Sequence, residues 1–266
     1  MKRFAVIGDP IAHSLSPILH EEVYQQLGLD ASFEKRHLTS DTLHSFMNSN
    51  ELDGFNVTIP HKQSVIPFLD ELDESAQIIG AVNCVHNGKG YNTDWIGFLK
   101  AMKLNDIELN EKNYTILGAG GAARAIAYAL IKSNVKSISI VNRTKGKAEQ
   151  LLDWINSSFP NNNPSENSDV IVNCTPLGMW PDTESMPLEP SDISPDHILA
   201  DTIYNPLETE WLKMGKEKGA KTIGGLNMFI AQGLASADIW FGGKISEKVD
   251  ISLIFDRLIK YVKNKK

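Results

Sequence analysis

Apolar runs alternate with helix-period patterns along this chain, and their order predicts the architecture. The first run, over 4–7, reads as a buried strand. A helix over 17–27 follows, with Ser16 as its cap and Pro17 at the first position, where a missing N–H costs nothing. Strands are predicted over 33–38 and 54–58, with a short helix over 42–48 between them. Helical turns fill 61–79. The stretches 81–86 and 90–92 read as a hairpin around Asn87-Gly88. A helix over 95–102 starts from Asp94 as cap.

A second cycle begins at 114. Strands over 114–117 and 137–141 flank a helix over 121–132, and a helix over 145–155 comes next. The Asn-, Pro- and Ser-rich stretch 160–168 is a loop. Short strands over 170–173, 198–201 and 221–223 are interleaved with helices over 207–218 and 228–241. An amphipathic helix over 247–261 precedes a Lys-rich tail, 263–266, expected to fray. Strands alternating with helices imply mostly parallel sheets covered on both faces. Two cycles imply two α/β domains separated by a cleft, with the boundary inside the helix after Asp94. No repeat relates the halves.

Composition changes this picture little. Of 266 residues, 42% are apolar and 22% charged, ordinary values for a chain that buries a core. The net charge of -7 gives no reason to expect nucleic acid or an anionic membrane as partner. Cys84 and Cys174 lack metal spacing and read as buried thiols of a reducing, cytoplasmic setting. The seven histidines show no metal-binding pattern, and His61, the only one beside a motif, reads as structural or incidental. The N-terminus reaches Gly8 and Asp9 too soon to form a signal-peptide core, and no apolar stretch is long enough to span a bilayer.

Chemistry enters at Gly118-Ala119-Gly120-Gly121-Ala122-Ala123. This is G-x-G-x-x-A between a strand and a helix, the dinucleotide fingerprint. Gly118 permits the tight turn, Gly120 lets backbone approach the pyrophosphate, and Ala123 allows close helix–strand packing. The helix N-terminus offers N–H groups to phosphate. An NAD site usually ends its next strand in an acid; here the strand ends Asn142-Arg143-Thr144, with Lys147 one turn on. A guanidinium there suits the 2′-phosphate of NADP(H). The alternative is a solvated basic face with Thr144 capping a helix. Thr175, at a strand end, and Gly225, ahead of the helix bearing Met228, can complete the cofactor site or be ordinary turn residues.

Polar residues also gather in the first half. Ser14 and Ser16 stand at a helix N-terminus, a good place for a carboxylate, though a turn and a cap would use the same residues. Thr58 ends a strand and Lys62 follows it, Asn83 lies in Gly80-Ala81-Val82-Asn83, and Asp94 stands at a helix start. A lone Lys62 reads as a surface lysine, and a lone Asp94 as a helix cap. These residues alone give an NADP-dependent oxidoreductase acting on a polar small molecule.

The ordered set Ser-Leu-Ser-Pro, Asn-Val-Thr-x-Pro-x-Lys, Gly-Ala-Val-Asn, Asn-Thr-Asp, Gly-Ala-Gly-Gly-Ala, Asn-Arg-Thr, Thr-Pro-Leu-Gly-Met, Tyr-x-Pro and a late Gln resembles the shikimate dehydrogenase family. The match runs from Gly8 to about Gln232. The resemblance implies reversible NADPH-dependent reduction of 3-dehydroshikimate to shikimate, a step toward the aromatic amino acids. It implies that Ser14 and Ser16 bind the substrate carboxylate. Thr58, Asn83, Asp94, Tyr204 and Gln232 would hold ring hydroxyls or carboxylate. Lys62 and Asp94 would be the catalytic pair, Lys62 as acid in reduction and base in oxidation. It further implies a discontinuous substrate domain, 1–101 with 229–266, around a Rossmann domain, 102–228, and a monomer or weak homodimer. Cys84 stands where Thr is common, Asn227 where Gly is common, and Trp180 adds a bulky ring after Met179. A quinate/shikimate dehydrogenase and a non-catalytic NADP(H)-binding regulator share the fold and remain open.

Overall fold

A computed structural model describes residues 1–49 and 51–264. The chain forms two compact units, Met1–Gly97 with Ile230–Lys266, and Phe98–Phe229.

The first unit opens with β1 (Lys2–Gly8), α1 (Ser16–Leu27), β2 (Ala31–His37), α2 (Ser40–Ser49) and β3 (Gly54–Val57). Then come β4 (Glu71–Leu72), α3 (Glu74–Ile79), β5 (Cys84–His86), β6 (Lys89–Tyr91) and α4 (Asp94–Leu104), the last continuing into the second unit. The sheet runs β2-β1-β3-β5-β6-β4. β1 pairs in parallel with β2 and β3, as does β4 with β6, while β5 is antiparallel to both β3 and β6. β1 is buried from Phe4 onward, as its solid apolar run requires.

Two expectations fail here. The stretch 61–79 is not helical throughout, because it contains β4. Asp70 and Asp73 donate their N–H groups to the Gly88 and Gly90 carbonyls, extending the β4–β6 ladder. Asp73 then caps α3 by accepting from the Ser75 and Ala76 N–H groups, so that helix starts only at Glu74. Ser16 is not the cap of α1. The helix already includes it, Leu15 holds the cap position without a side-chain bond, and the Ser14 hydroxyl takes the Ser16 N–H at 3.3 Å.

The second unit contains β7 (Asn113–Leu117), α5 (Gly121–Lys132), β8 (Ser137–Val141), α6 (Lys145–Ser158), β9 (Val170–Asn173), β10 (Ile198–Asp201), α7 (Glu210–Glu217), β11 (Lys221–Ile223) and the start of α8 (Leu226–Phe241). Its sheet, β11-β10-β9-β7-β8, is parallel throughout. The order reverses between β7 and β9, the switch point where open α/β sheets bind ligands at the C-terminal strand ends. α7 starts three residues later than the apolar pattern suggests, because the Thr209 hydroxyl caps it through the Leu212 N–H.

The rest of α8 and α9 (Ile251–Asn264) belong to the first unit. Trp240 stacks on Phe4 with centroids 4.6 Å apart, and its indole N–H donates to the Val85 carbonyl. α9 buries Ile254, Leu258 and Val262, a stripe at four-residue spacing. Arg257 bonds Glu22 of α1 at 2.6 Å. α9 starts after residue 247 because Ile245–Glu247 forms a separate 3-10 turn and Asp250 accepts the Ser252 N–H. Lys263 and Asn264 are its last residues and not a frayed tail; 265 and 266 lie outside the described residues.

Candidate active site

In the first unit, one buried carboxylate organises a polar cluster. Asp94 is the first residue of α4, inside the helix and not ahead of it, and both of its carboxylate oxygens are engaged by other side chains. The Lys62 ammonium bonds Asp94 Oδ2, and the Asn83 amide donates to Oδ1 at 2.8 Å. The helix start is served instead by Asn92, whose Oδ1 accepts the Asp94 N–H at 3.1 Å. Side-chain exposure is 15% for Lys62 and 7% for Asp94, so the pair is shielded while the ammonium keeps some access. Lys62 is therefore not an ordinary surface lysine.

Asn83 is fixed on both sides. Its Oδ1 accepts the Thr93 N–H at 2.6 Å, and its amide also lies 3.2 Å from Gln232 Oε1. Behind it, Asn56 donates to the Asn83 carbonyl and to the Ser236 hydroxyl, which is 3.3 Å from the Thr93 hydroxyl. Asn56, Thr93 and Ser236 are buried and were not among the candidates read from sequence. For Asn56 in β3 and Ser236 in α8 the signal is a polar residue inside an apolar strand or helix, which marks buried hydrogen bonding without naming its partners; Thr93, between β6 and α4, carries no such signal.

The structure thus joins Lys62, Asn83, Asp94 and Gln232. Ser14 and Ser16 form a separate hydroxyl pair, 3.2 Å apart, at the start of α1. Thr58 follows β3, its N–H bonded to the Ile7 carbonyl. Tyr204 lies in the other unit, its ring stacked on Phe229 at 4.1 Å. His61 is fully buried and bonds the Leu38 carbonyl at 2.6 Å, a structural role. Cys84 is buried, and burial pushes its thiol up to about 12. Cys174 is only half-buried, against expectation, because it has already left β9.

In the second unit, Gly118 adopts φ +110°, and a Cβ there would lie 3.1 Å from the Cys174 carbonyl oxygen. Gly120 has open space where a Cβ would be. It caps α5 with no side chain over the N–H groups, and no acid stands in the first turn. Ala119, Gly121 and Ala122 are half-exposed around the same turn. At the end of β8, Arg143, Thr144 and Lys147 are exposed, and Asn142 bonds the Thr144 carbonyl at 3.0 Å. Thr144 occupies the cap position of α6 but its hydroxyl makes no cap bond, so it remains available to a ligand. Among the described residues neither Arg143 nor Lys147 pairs with an acid. Uncovered helix N–H groups beside an open glycine, with unpaired cations at the neighbouring strand end, fit a pyrophosphate and one further phosphate. Thr175 bonds Asn173 Oδ1 at 2.7 Å. Gly225 is required, since a Cβ would meet the Thr202 and Ile203 carbonyl oxygens at 2.5 Å. Met228 is buried just beyond it.

Among the described residues no group of three or more His, Cys, Asp or Glu could hold a metal. No helix among them is long and apolar enough to cross a membrane.

Comparison with known proteins gives concordant matches. Residues 6–85 match the shikimate dehydrogenase substrate binding domain, and residues 99–176 match shikimate / quinate 5-dehydrogenase. The NADP(+) shikimate dehydrogenase of Methanosphaera stadtmanae is 40% identical over 256 residues, covering 89% of this chain and 90% of the relative. The Thermus thermophilus shikimate 5-dehydrogenase, solved with NADP(H) and shikimate, has a TM-score of 0.85 at 33% identity, covering 98% of this chain and 99% of that one. A ligand-free 5-ketofructose reductase of Gluconobacter sp. strain CHM43 has a TM-score of 0.84 at 32% identity, covering 98% of both.

Proposed function

Because this chain belongs to the shikimate dehydrogenase family, we propose that Lys62 and Asp94 are its catalytic pair in the reversible NADPH-dependent reduction of 3-dehydroshikimate to shikimate. The single observation that carries the assignment is the shielded Lys62–Asp94 ion pair, held by Asn83. The hydride comes from bound NADPH. Lys62 Nζ holds the proton that the developing alkoxide needs, and in the oxidative direction takes it back. Asp94 Oδ2 aims Nζ by pairing with it in a shielded place. Asn83 holds Asp94 in its rotamer, so the proton donor stays positioned at little ordering cost.

Ser14 and Ser16 suit the substrate carboxylate, with two hydroxyls at the N-terminal end of α1. Thr58, Asn83, Asp94, Gln232 and Tyr204 are assigned to the ring hydroxyls or carboxylate. The NADP(H) site comprises Gly118–Ala122 under the pyrophosphate, Asn142, Arg143, Thr144 and Lys147 at the 2′-phosphate, and Thr175, Gly225 and Met228 toward the nicotinamide. A cytoplasmic, monomeric or weakly dimeric enzyme without nucleic-acid or membrane partners completes the reading, on the family resemblance and the acidic composition.

Absorbance of the reduced nicotinamide tests the activity. Shikimate with NADP+ is expected to give rapid reduction, and quinate or NAD+ little. Turnover of quinate with NAD+ would move the chain to the broader dehydrogenases. Reduction of 5-ketofructose without 3-dehydroshikimate would place it with the Gluconobacter enzyme, whose ketose substrate has no carboxylate for the serine pair. Silence with every pair, from folded protein that still binds NADPH, would leave a regulator.

A further inference from the structure

We propose that Asp201 is a positioning residue for the cofactor loops of the second unit: its carboxylate ties the turn after β9, the segment after β10 and the start of α7 to one point. Asp201 is the buried last residue of β10. Its Oδ1 accepts from the Asn173 amide at 3.1 Å and from the Ile203 N–H at 3.0 Å, and Oδ2 accepts the Thr209 hydroxyl at 2.9 Å. Asn173 passes the constraint onward, because its Oδ1 accepts both the N–H and the hydroxyl of Thr175, at 3.0 and 2.7 Å. Ile203 carries it the other way: its carbonyl accepts the Gly225 N–H at 3.0 Å, and Tyr204 is the next residue. Thr175, Tyr204 and Gly225 therefore all depend on one carboxylate, an inference that rests on the reading above for what those three residues bind.

The network is built for the ionised form. Every one of these partners donates, which is what a carboxylate accepts. Thr209 links the two ends of this junction, its oxygen accepting the Leu212 N–H while its proton goes to Asp201. The groups facing Asp201 from β9, from the β10–α7 segment and from α7 are Asn173, Thr202, Ile203 and Thr209, all uncharged. The flanking acids are engaged at the surface, Glu208 with Lys216 and Glu210 with Lys213. Asp201 also borders a small pocket with the apolar side chains of Phe98, Met102, Val172 and Met228. Desolvation, unopposed by any cation, pushes its carboxyl up to about 7. The donors to the carboxylate are thus engaged fully only above neutral pH.

The test uses the full chain, NADPH binding followed by nicotinamide fluorescence from pH 6 to 8.5, and amide hydrogen exchange of the ligand-free protein. Wild type should bind NADPH several-fold more weakly at pH 6 than at pH 8.5. Thr209→Val should raise the NADPH Kd about threefold to tenfold at pH 8, the worth of one hydrogen bond, and speed exchange at the Thr175 and Ile203 amides. Thr209→Ser should restore both. Asp201→Asn should bind weakly at pH 8 and show a flatter pH profile than wild type for the same ligand. Folded Asp201→Asn with wild-type Kd and profile would overturn the proposal. If Asp201→Asn does not fold, a Thr209→Val protein indistinguishable from wild type in Kd and exchange would do so. None of these readouts needs turnover, so normal binding without shikimate oxidation counts against the proposed activity alone. Wild type that binds no NADPH would overturn both.

Discussion

Arg143 and Lys147 are two exposed cations whose purpose depends on what their neighbours lack. No acid stands at the end of β8 or in the first turn of α6, so on the proposed assignment the two cations favour a phosphate and no carboxylate favours a bare ribose. Arg143→Ala should therefore weaken NADPH by about ten- to a hundredfold, the worth of a charge-assisted hydrogen-bond pair, and change NADH by less than about twofold. Matched KM values for both cofactors decide it; equal losses would make Arg143 structural. This feature was legible in the sequence because fingerprint, strand and basic tripeptide are contiguous. The Asp94 cluster was legible only in part. Asn83 and Asp94 are 11 residues apart, whereas Asn56 meets Ser236 across 180 residues, and no local pattern encodes that contact. Bare spacing favoured a helix cap for Asp94, and the structure assigns that task to Asn92.

At the scale of elements, the loop between β7 and α5 is set by Gly118. At φ +110° a side chain is strained whatever the space around it, and a Cβ would also sit 3.1 Å from the Cys174 carbonyl oxygen. Gly118→Ala should cost about 1–3 kcal/mol of stability and weaken NADPH binding together, read by denaturant midpoint and ligand titration. Unchanged values in both would show that the loop tolerates another backbone path. Asp73→Ala should cost about 1 kcal/mol through the lost cap of α3, measured by the same unfolding experiment. Strands of the second unit were read to within a residue, since each is a solid apolar run bounded by polar turns. Helix starts were read unevenly: α5 and α6 begin where the pattern predicts, whereas at α7 and α9 the apolar pattern misplaces the true start by three or four residues, and side chains such as Thr209 and Asp250 decide where the first turn closes. β4 has only two residues, too few for any periodicity, and exists because β6 offers it a ladder.

For the whole molecule, acid acts oppositely on the two units. His20 is buried against Phe33, Tyr24 and Trp240, and burial lowers its pKa to about 3 from 6.5. The unfolded chain binds that proton first, so this contribution is intact above pH 6.5 and is lost as pH falls toward 3. Asp201 behaves in reverse. Its carboxyl is raised to about 7 from 3.8, so the native form binds the proton first and gains stability as pH falls between those values. Core amides of β1 should therefore exchange faster at pH 5 than at pH 7, relative to those of β9 and β10, by hydrogen exchange with the intrinsic pH effect removed. His20→Leu should abolish most of that difference, and its persistence would assign the acid sensitivity to other groups. The two-cycle organisation was legible from alternation alone. The return of the C-terminal helices to the first unit came only through the family resemblance, because packing such as Trp240 on Phe4 leaves no local trace.

Steady-state kinetics of Lys62→Met with shikimate and NADP+ tests whether Lys62, held by Asp94, moves the proton in this reaction. The kcat should fall at least about a hundredfold, the typical worth of a positioned acid–base group, with the KM for shikimate within about threefold of wild type. A preserved kcat with a raised KM would make Lys62 a binding residue and not the proton carrier.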